Sequence, residues 1–366
     1  MNVKNSKDSV FLPVFVSKDN SFDLLRILCC LIVVYEHCVV LSGIDLPCLN
    51  LRGIAVNVFF VLSGFWVAQS YLKSSSIKDY ALKRCRKILP QYWTVVLAGA
   101  FFLSVFSQLP AREYFFNSSF FKYLAANIST LNFIHPTLPG VFEGLALDGS
   151  VNGSLWTIKI EIGFYILLPF VVFVMRKING GGYRCGVLAA LYLLSVLYEV
   201  FMPYITERTF LPAALAHQFP AFISYFACGM AFSFYGENLF SRLKFIFVPC
   251  LALLVLLNIF KVPFISAFLV PVCLSVCVMF IGLNLKFFSC GGRRTDYSYS
   301  LYLVHYPIAM CFVSLGFFEV KPLFAIFSVL GTSFLCAYLM ENFQKFLSEN
   351  KFFKKKLETD AARSAR

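Results

Sequence analysis

The chain has 366 residues, 59% of them hydrophobic and 14% charged, with a net charge of +13 and a mean hydropathy of +0.75. That much apolar side chain exceeds what a soluble domain buries, and the continuous, non-alternating apolar runs exclude an outer-membrane barrel. The cations fall between the apolar runs, which fits membrane topology and argues against nucleic-acid binding.

These features predict an all-α, polytopic transmembrane helical bundle. Ten spanning segments are expected at roughly 22–43, 53–72, 88–109, 154–175, 185–200, 211–235, 245–260, 263–285, 297–318 and 322–344. The implied organisation is a cytoplasmic N-terminal segment over 1–21, a transmembrane domain over 22–344 and a basic cytoplasmic tail over 345–366. With the N-terminus inside, the inner segments hold 24 Lys and Arg and the outer segments six, so both termini are expected in the cytoplasm. The first 21 residues lack the order of charge, apolar run and small-residue cleavage site that marks a removable signal. Most of the 13 cysteines lie in apolar runs and no C-x-x-C pair recurs, so neither a metal site nor a disulfide framework is expected.

The first segment, FDLLRILCCLIVVYEHCVVLSG, carries Arg26, Glu36 and His37 inside an apolar run. Titratable side chains at membrane depth are costly, so their default reading is functional. Eleven residues separate Arg26 from His37, which on a helix puts both within about 20° of one face and about 16 Å apart along the axis.

The second segment contains Ser63-Gly64, read either as a close helix contact or as a nucleophile that lacks a neighbouring base. Six cations crowd residues 73–87. Four of them, Lys83, Arg84, Arg86 and Lys87, stand at the mouth of the third segment, where phosphates would bind, and Pro90 is placed in that helix's first turn. The long segment 110–153 is expected outside the membrane, packed on the helices. The fourth segment brings Trp156, Lys159, Glu161 and Tyr165, with Glu161 and Tyr165 one turn apart. The ninth brings Tyr302 and His305 at i, i+3.

Taken in order, Arg26-x10-His37, FFVLSGF at 59–65, the basic stretch before Pro90-x-Tyr92-Trp93, SLWTIKIEIGFY at 154–165 and YSLYLVH at 299–305 resemble the acyltransferase-3 family of integral membrane O-acyltransferases. The likeness is to members without the fused esterase-like domain. Where the family pattern has a second arginine, this chain has Lys87, a point charge without the bidentate fork. The resemblance implies an O-acetyltransferase of the cell inner membrane. Its donor would be cytoplasmic acetyl-CoA or another acyl-CoA, and its acceptor a polysaccharide such as lipopolysaccharide O-antigen, a capsule or an exopolysaccharide.

Counting residues from the expected helix ends puts His37 about 9 Å and Glu161 about 10 Å below the outer face, and Arg26 about 6 Å and His305 about 12 Å above the inner face. On that scale His37 is the base, and Glu161 is the group that orients its imidazole or stabilises the charged form. The CoA phosphates would lie on Arg26, Lys83, Arg84, Arg86 and Lys87. Ser63, Trp156, Lys159, Tyr165, Tyr302 and His305 remain for substrate binding or structural support. The rival reading is a secondary transporter or exporter, which also buries charge among many helices.

Overall fold

The structure, a computed structural model, describes residues 14, 16, 17, 19–48, 50–260, 262–285 and 297–349. Most of the 1–21 segment, the 286–296 connection and the end of the basic tail lie outside the described residues. The helices are α1 (Phe22–Ser42), α2 (Arg52–Leu72), α3 (Ile77–Phe102), α4 (Ala111–Phe115), α5 (Ser118–Ile128), α6 (Trp156–Lys177), α7 (Gly181–Arg208), α8 (Ile223–Phe240), α9 (Leu243–Phe260), α10 (Pro263–Asn284), α11 (Ser298–Ser314), α12 (Phe317–Val320) and α13 (Pro322–Glu349). Nine segments among the described residues are long and apolar enough to cross a bilayer. The tenth expected span is α11, which has 17 residues and is about 25 Å long, short of a hydrocarbon core of about 30 Å.

The chain divides into two compact units. The first comprises residues up to Cys29, then Asn50–Arg84 and Thr157–Arg294. Within it α2 and α8 make the closest approach, through Gly64 and Gly229. A Cβ on Gly64 would fall 2.2 Å from the Phe226 carbonyl oxygen, and one on Gly229 would fall 2.1 Å from that of Val61. Both positions therefore exclude any side chain, and the packing reading of Ser63-Gly64 holds. Phe22 is fully buried, stacks on Phe65 and lies flush on Gly282 of α10.

The second unit comprises Cys30–Leu49, Cys85–Trp156 and the residues from Thr295 onward. Here the 110–153 segment packs on α3, as its apolar content predicts. Tyr114 donates to the Ala100 carbonyl at 2.7 Å, Tyr92 to Asn127 at 2.7 Å and the Trp93 indole to Ile128 at 3.1 Å. From α4 to the end of α5 the chain thus runs back along α3 by seven or eight residues, about 12 Å. The Trp93 indole supplies a donor to the Ile128 carbonyl, and the Tyr92 hydroxyl adds a second donor to the Asn127 carbonyl, which also accepts from the Thr130 N–H at 2.9 Å. Asn127 adds bonds to the carbonyls of Tyr123 and His135 at 2.9 and 3.0 Å, satisfying irregular backbone that lipid would leave bare.

α3 also begins earlier than expected. Ser76 accepts from the Asp79 backbone N–H at 3.1 Å, a serine cap that starts the helix at Ile77. The basic stretch is therefore helical and Pro90 lies inside the helix, not in its first turn.

Candidate functional site

In the second unit α1 and α11 run side by side. The Cys30 thiol meets the Ser298 carbonyl at 3.1 Å, so α11 starts level with the ninth residue of α1, about 12 Å along it. Seven residues further up each helix stand His37 and His305. His37 Nδ1 and His305 Nε2 are 2.8 Å apart and the rings stack with centroids 5.0 Å apart. His305 is fully buried and His37 is 8% exposed. The depth count separates these two rings because it measures His37 from the outer end of its helix and His305 from the inner end of its own, with no allowance for stagger; the late start of α11 removes the difference. Within this unit the ring partner of His37 is His305.

The tautomers follow from one carbonyl. His305 Nδ1 lies 2.8 Å from the Tyr302 backbone oxygen, which only accepts, so Nδ1 carries hydrogen. In the neutral ring Nε2 then holds a lone pair, and His37 Nδ1 donates to it. The lone pair of His37 is left on Nε2, the nitrogen a general base needs. The Tyr306 ring meets His37 edge-on at 5.3 Å. Gly153 lies under that ring, where a Cβ would come within 2.8 Å of its atoms.

Pro307 lies inside α11 and has no N–H, so the Leu303 carbonyl lacks its helical donor. Asn152 Nδ2 reaches that carbonyl at 2.8 Å. The amide's orientation is fixed from its other end: Oδ1 accepts from the Ser154 backbone N–H at 3.2 Å and from its hydroxyl at 2.6 Å. The Tyr302 hydroxyl extends to the Ser154 carbonyl at 3.4 Å. Asn152 escapes sequence reasoning as a neutral loop residue; the signal available was Pro307 four residues after an apolar position in a buried helix.

A separate cluster forms in the first unit. Arg84 donates to Ser70 Oγ at 2.9 Å and its guanidinium lies over the Tyr165 ring at 5.7 Å. Arg84 Nε is buried without a hydrogen-bond partner. The Tyr165 hydroxyl donates to Glu161 Oε1, and Tyr80 donates to the Tyr165 carbonyl at 3.1 Å. Such a cluster can present one directed cation to an anion.

The other cations of the stretch are held differently. Lys83 pairs with Asp79 at 2.7 Å, and Arg86 and Lys87 are exposed. Arg26 pairs with Asp23 at 2.9 Å and its side chain is 16% exposed. Because α1 is unbroken from Phe22 to Ser42, Arg26 and His37 keep the one-face spacing along it.

Ser63 Oγ is buried with no hydrogen-bond partner, so nothing there activates a nucleophile. Trp156 opens α6 and Lys159 lies half-buried one turn on. An apolar groove of about 340 Å³ between α7 and α8, walled by Cys185, Leu188, Tyr192 and Cys228, includes no residue of either cluster. No metal-binding group of residues occurs among the described residues.

A family model described as "Acyltransferase domain" matches residues 19–341. Among curated proteins, the chain is 29% identical over 182 residues to "Nodulation protein 10" of Rhizobium leguminosarum bv. viciae, covering 47% of this chain and 49% of that protein. It is 28% identical over 168 residues to the "O-acetyl transferase" of Shigella phage Sf6, covering 42% and 46% respectively. It is 25% identical over 198 residues to "Acyltransferase MdmB" of Streptomyces mycarofaciens, covering 49% and 42%. The chain thus spans about half the length of the curated relatives it matches. No solved structure matches.

Proposed function

Since the chain belongs to the acyltransferase-3 family of integral membrane acyltransferases, we propose that it moves an acyl group, in the first instance acetyl, from acyl-CoA to a hydroxyl of a cell-surface polysaccharide sugar. The transporter reading loses its ground with that membership. The observation that carries the proposal is the carbonyl–His305–His37 chain, because it leaves a lone pair on His37 Nε2.

In this mechanism His37 Nε2 takes the proton of the acceptor hydroxyl as its oxygen attacks the thioester carbonyl. The carbon–oxygen bond forms, the tetrahedral intermediate collapses and the carbon–sulfur bond breaks. The thiolate then recovers the proton from the His37 imidazolium, so an ester and a free thiol leave. His305, a neutral acceptor held by Tyr302, stabilises the imidazolium as a triad's third member does. Arg84 is the cation placed for a CoA phosphate, with Arg26, Lys83, Arg86 and Lys87 as further basic contacts. The 24-to-six distribution of Lys and Arg supports a cytoplasmic donor in the cell inner membrane, with the polysaccharide acceptor entering from the other side. Glu161 becomes the residue that holds Tyr165 under Arg84. Trp156, Lys159 and Tyr302 support the helices that carry these groups.

The test is acyl transfer from labelled acetyl-CoA to surface polysaccharide in membranes matched for protein content. His37→Ala is expected to lower kcat by about 10²–10⁴-fold. Undiminished transfer would remove His37 as the base, and solute flux without acyl-CoA turnover would restore the transporter.

A further inference from the structure

We propose that Asn152 is a positioning residue for His305: its amide replaces the backbone donor that Pro307 removes, and so fixes the turn of α11 from which His305 reaches His37. The inference rests on the acyl-transfer reading above.

The turn from Leu301 to His305 is the part of α11 that bears the site, and Pro307 breaks the hydrogen-bond ladder directly above it. Leu303 loses its donor, and the freed carbonyl lies two residues from His305. A carbonyl without a donor in a buried or lipid environment is under strong pressure to find one, either by rotating the turn or by capturing a neighbour. Rotation would swing the adjacent Tyr302 carbonyl, which sets the His305 tautomer through Nδ1. Asn152 prevents this by donating to Leu303 at 2.8 Å.

Asn152 is itself held rigidly. It is 6% exposed and caps the turn Gly153–Leu155 through Ser154 N–H. The preceding residue, Val151, donates its N–H to the Pro136 carbonyl at 2.9 Å. Gly153 then passes beneath Tyr306, one residue beyond His305. The segment thus grips α11 at Leu303 and at Tyr306, on either side of the imidazole.

The experiment is a double-mutant cycle on the full-length protein in membranes, comparing Asn152→Ala in the wild-type background and in a Pro307→Ala background, where residue 307 regains its N–H. In the wild-type background kcat is expected to fall tenfold or more, while KM for acetyl-CoA and for acceptor stays within about twofold. In the Pro307→Ala background the same substitution is expected to change kcat less than twofold, because the Leu303 carbonyl already has a donor. An equal loss in both backgrounds, or a loss expressed as raised KM with kcat intact, overturns the proposal.

Should Asn152→Ala not accumulate alone, its accumulation and activity in the Pro307→Ala background decide the matter: recovery to the level of Pro307→Ala supports the role, and failure there refutes it. His37→Ala tests the underlying reaction separately. Transfer that survives His37→Ala defeats the base assignment, whereas additive effects in the cycle defeat only the role of Asn152.

Discussion

The imidazole pair and the guanidinium cluster belong to different units and are built on opposite principles. His37 and His305 are both deeply buried, and the bonds described above run between ring nitrogens or to backbone. Their arrangement fixes where a proton resides. Arg84, Tyr165 and Glu161 are ordered by an aromatic face, a hydroxyl and a carboxylate, which fixes where a charge points while leaving one guanidinium nitrogen without a partner. The first construction suits bond making and breaking; the second suits holding an anion. The lesson is that titratable residues in one membrane chain separate by the kind of partner that holds them better than by depth.

Kinetics can break this comparison. The largest effect after loss of His37 itself is expected for His305→Ala, which frees the His37 tautomer and should lower kcat about a hundredfold with little change in KM. A loss confined to KM would move His305 from the proton path to substrate binding. Arg84→Ala should raise KM for acetyl-CoA about tenfold, the scale of one charge-assisted hydrogen bond, and leave KM for the acceptor unchanged. Unaltered donor affinity, measured by saturation with acetyl-CoA, would place the phosphates elsewhere. The smallest effect belongs to Tyr165→Phe, which keeps the ring beneath Arg84 and removes only the bond to Glu161. Donor KM should rise no more than about threefold, and a large fall in kcat would tie Glu161 to the chemistry directly.

Much of the fold is legible in the sequence because backbone hydrogen bonding in lipid leaves few alternatives to the helix. Among the described residues, nine of the ten expected spans have the length and apolarity required. The errors fall where side chains override hydropathy. Ser76 and Asp79 start α3 ahead of its apolar run, which a hydropathy count does not register; the packing of 110–153 on the helices is legible from its apolar content, but the bonds from Tyr92 and Trp93 that fix it on α3 are not. Of the candidate site, His37 and His305 were visible as buried titratable residues, but their meeting was not. Helix staggers are set by tertiary contacts such as Cys30 to Ser298, and an offset of about 12 Å reverses a depth argument. Arg84 is visible as one of four cations, yet only its contacts with Ser70 and Tyr165 single it out.

The bond from Asn152 to Leu303 spans 151 residues of chain, and it bears on biogenesis. When α11 leaves the ribosome, its proline-broken turn carries a bare carbonyl that the hydrocarbon interior penalises. The segment able to cover it precedes α11 in the chain and is therefore made first. If that segment is in place when the final helices insert, a chain with a damaged 129–155 segment should stall at this late stage, with its last spans slow to enter the bilayer and exposed to quality-control proteases.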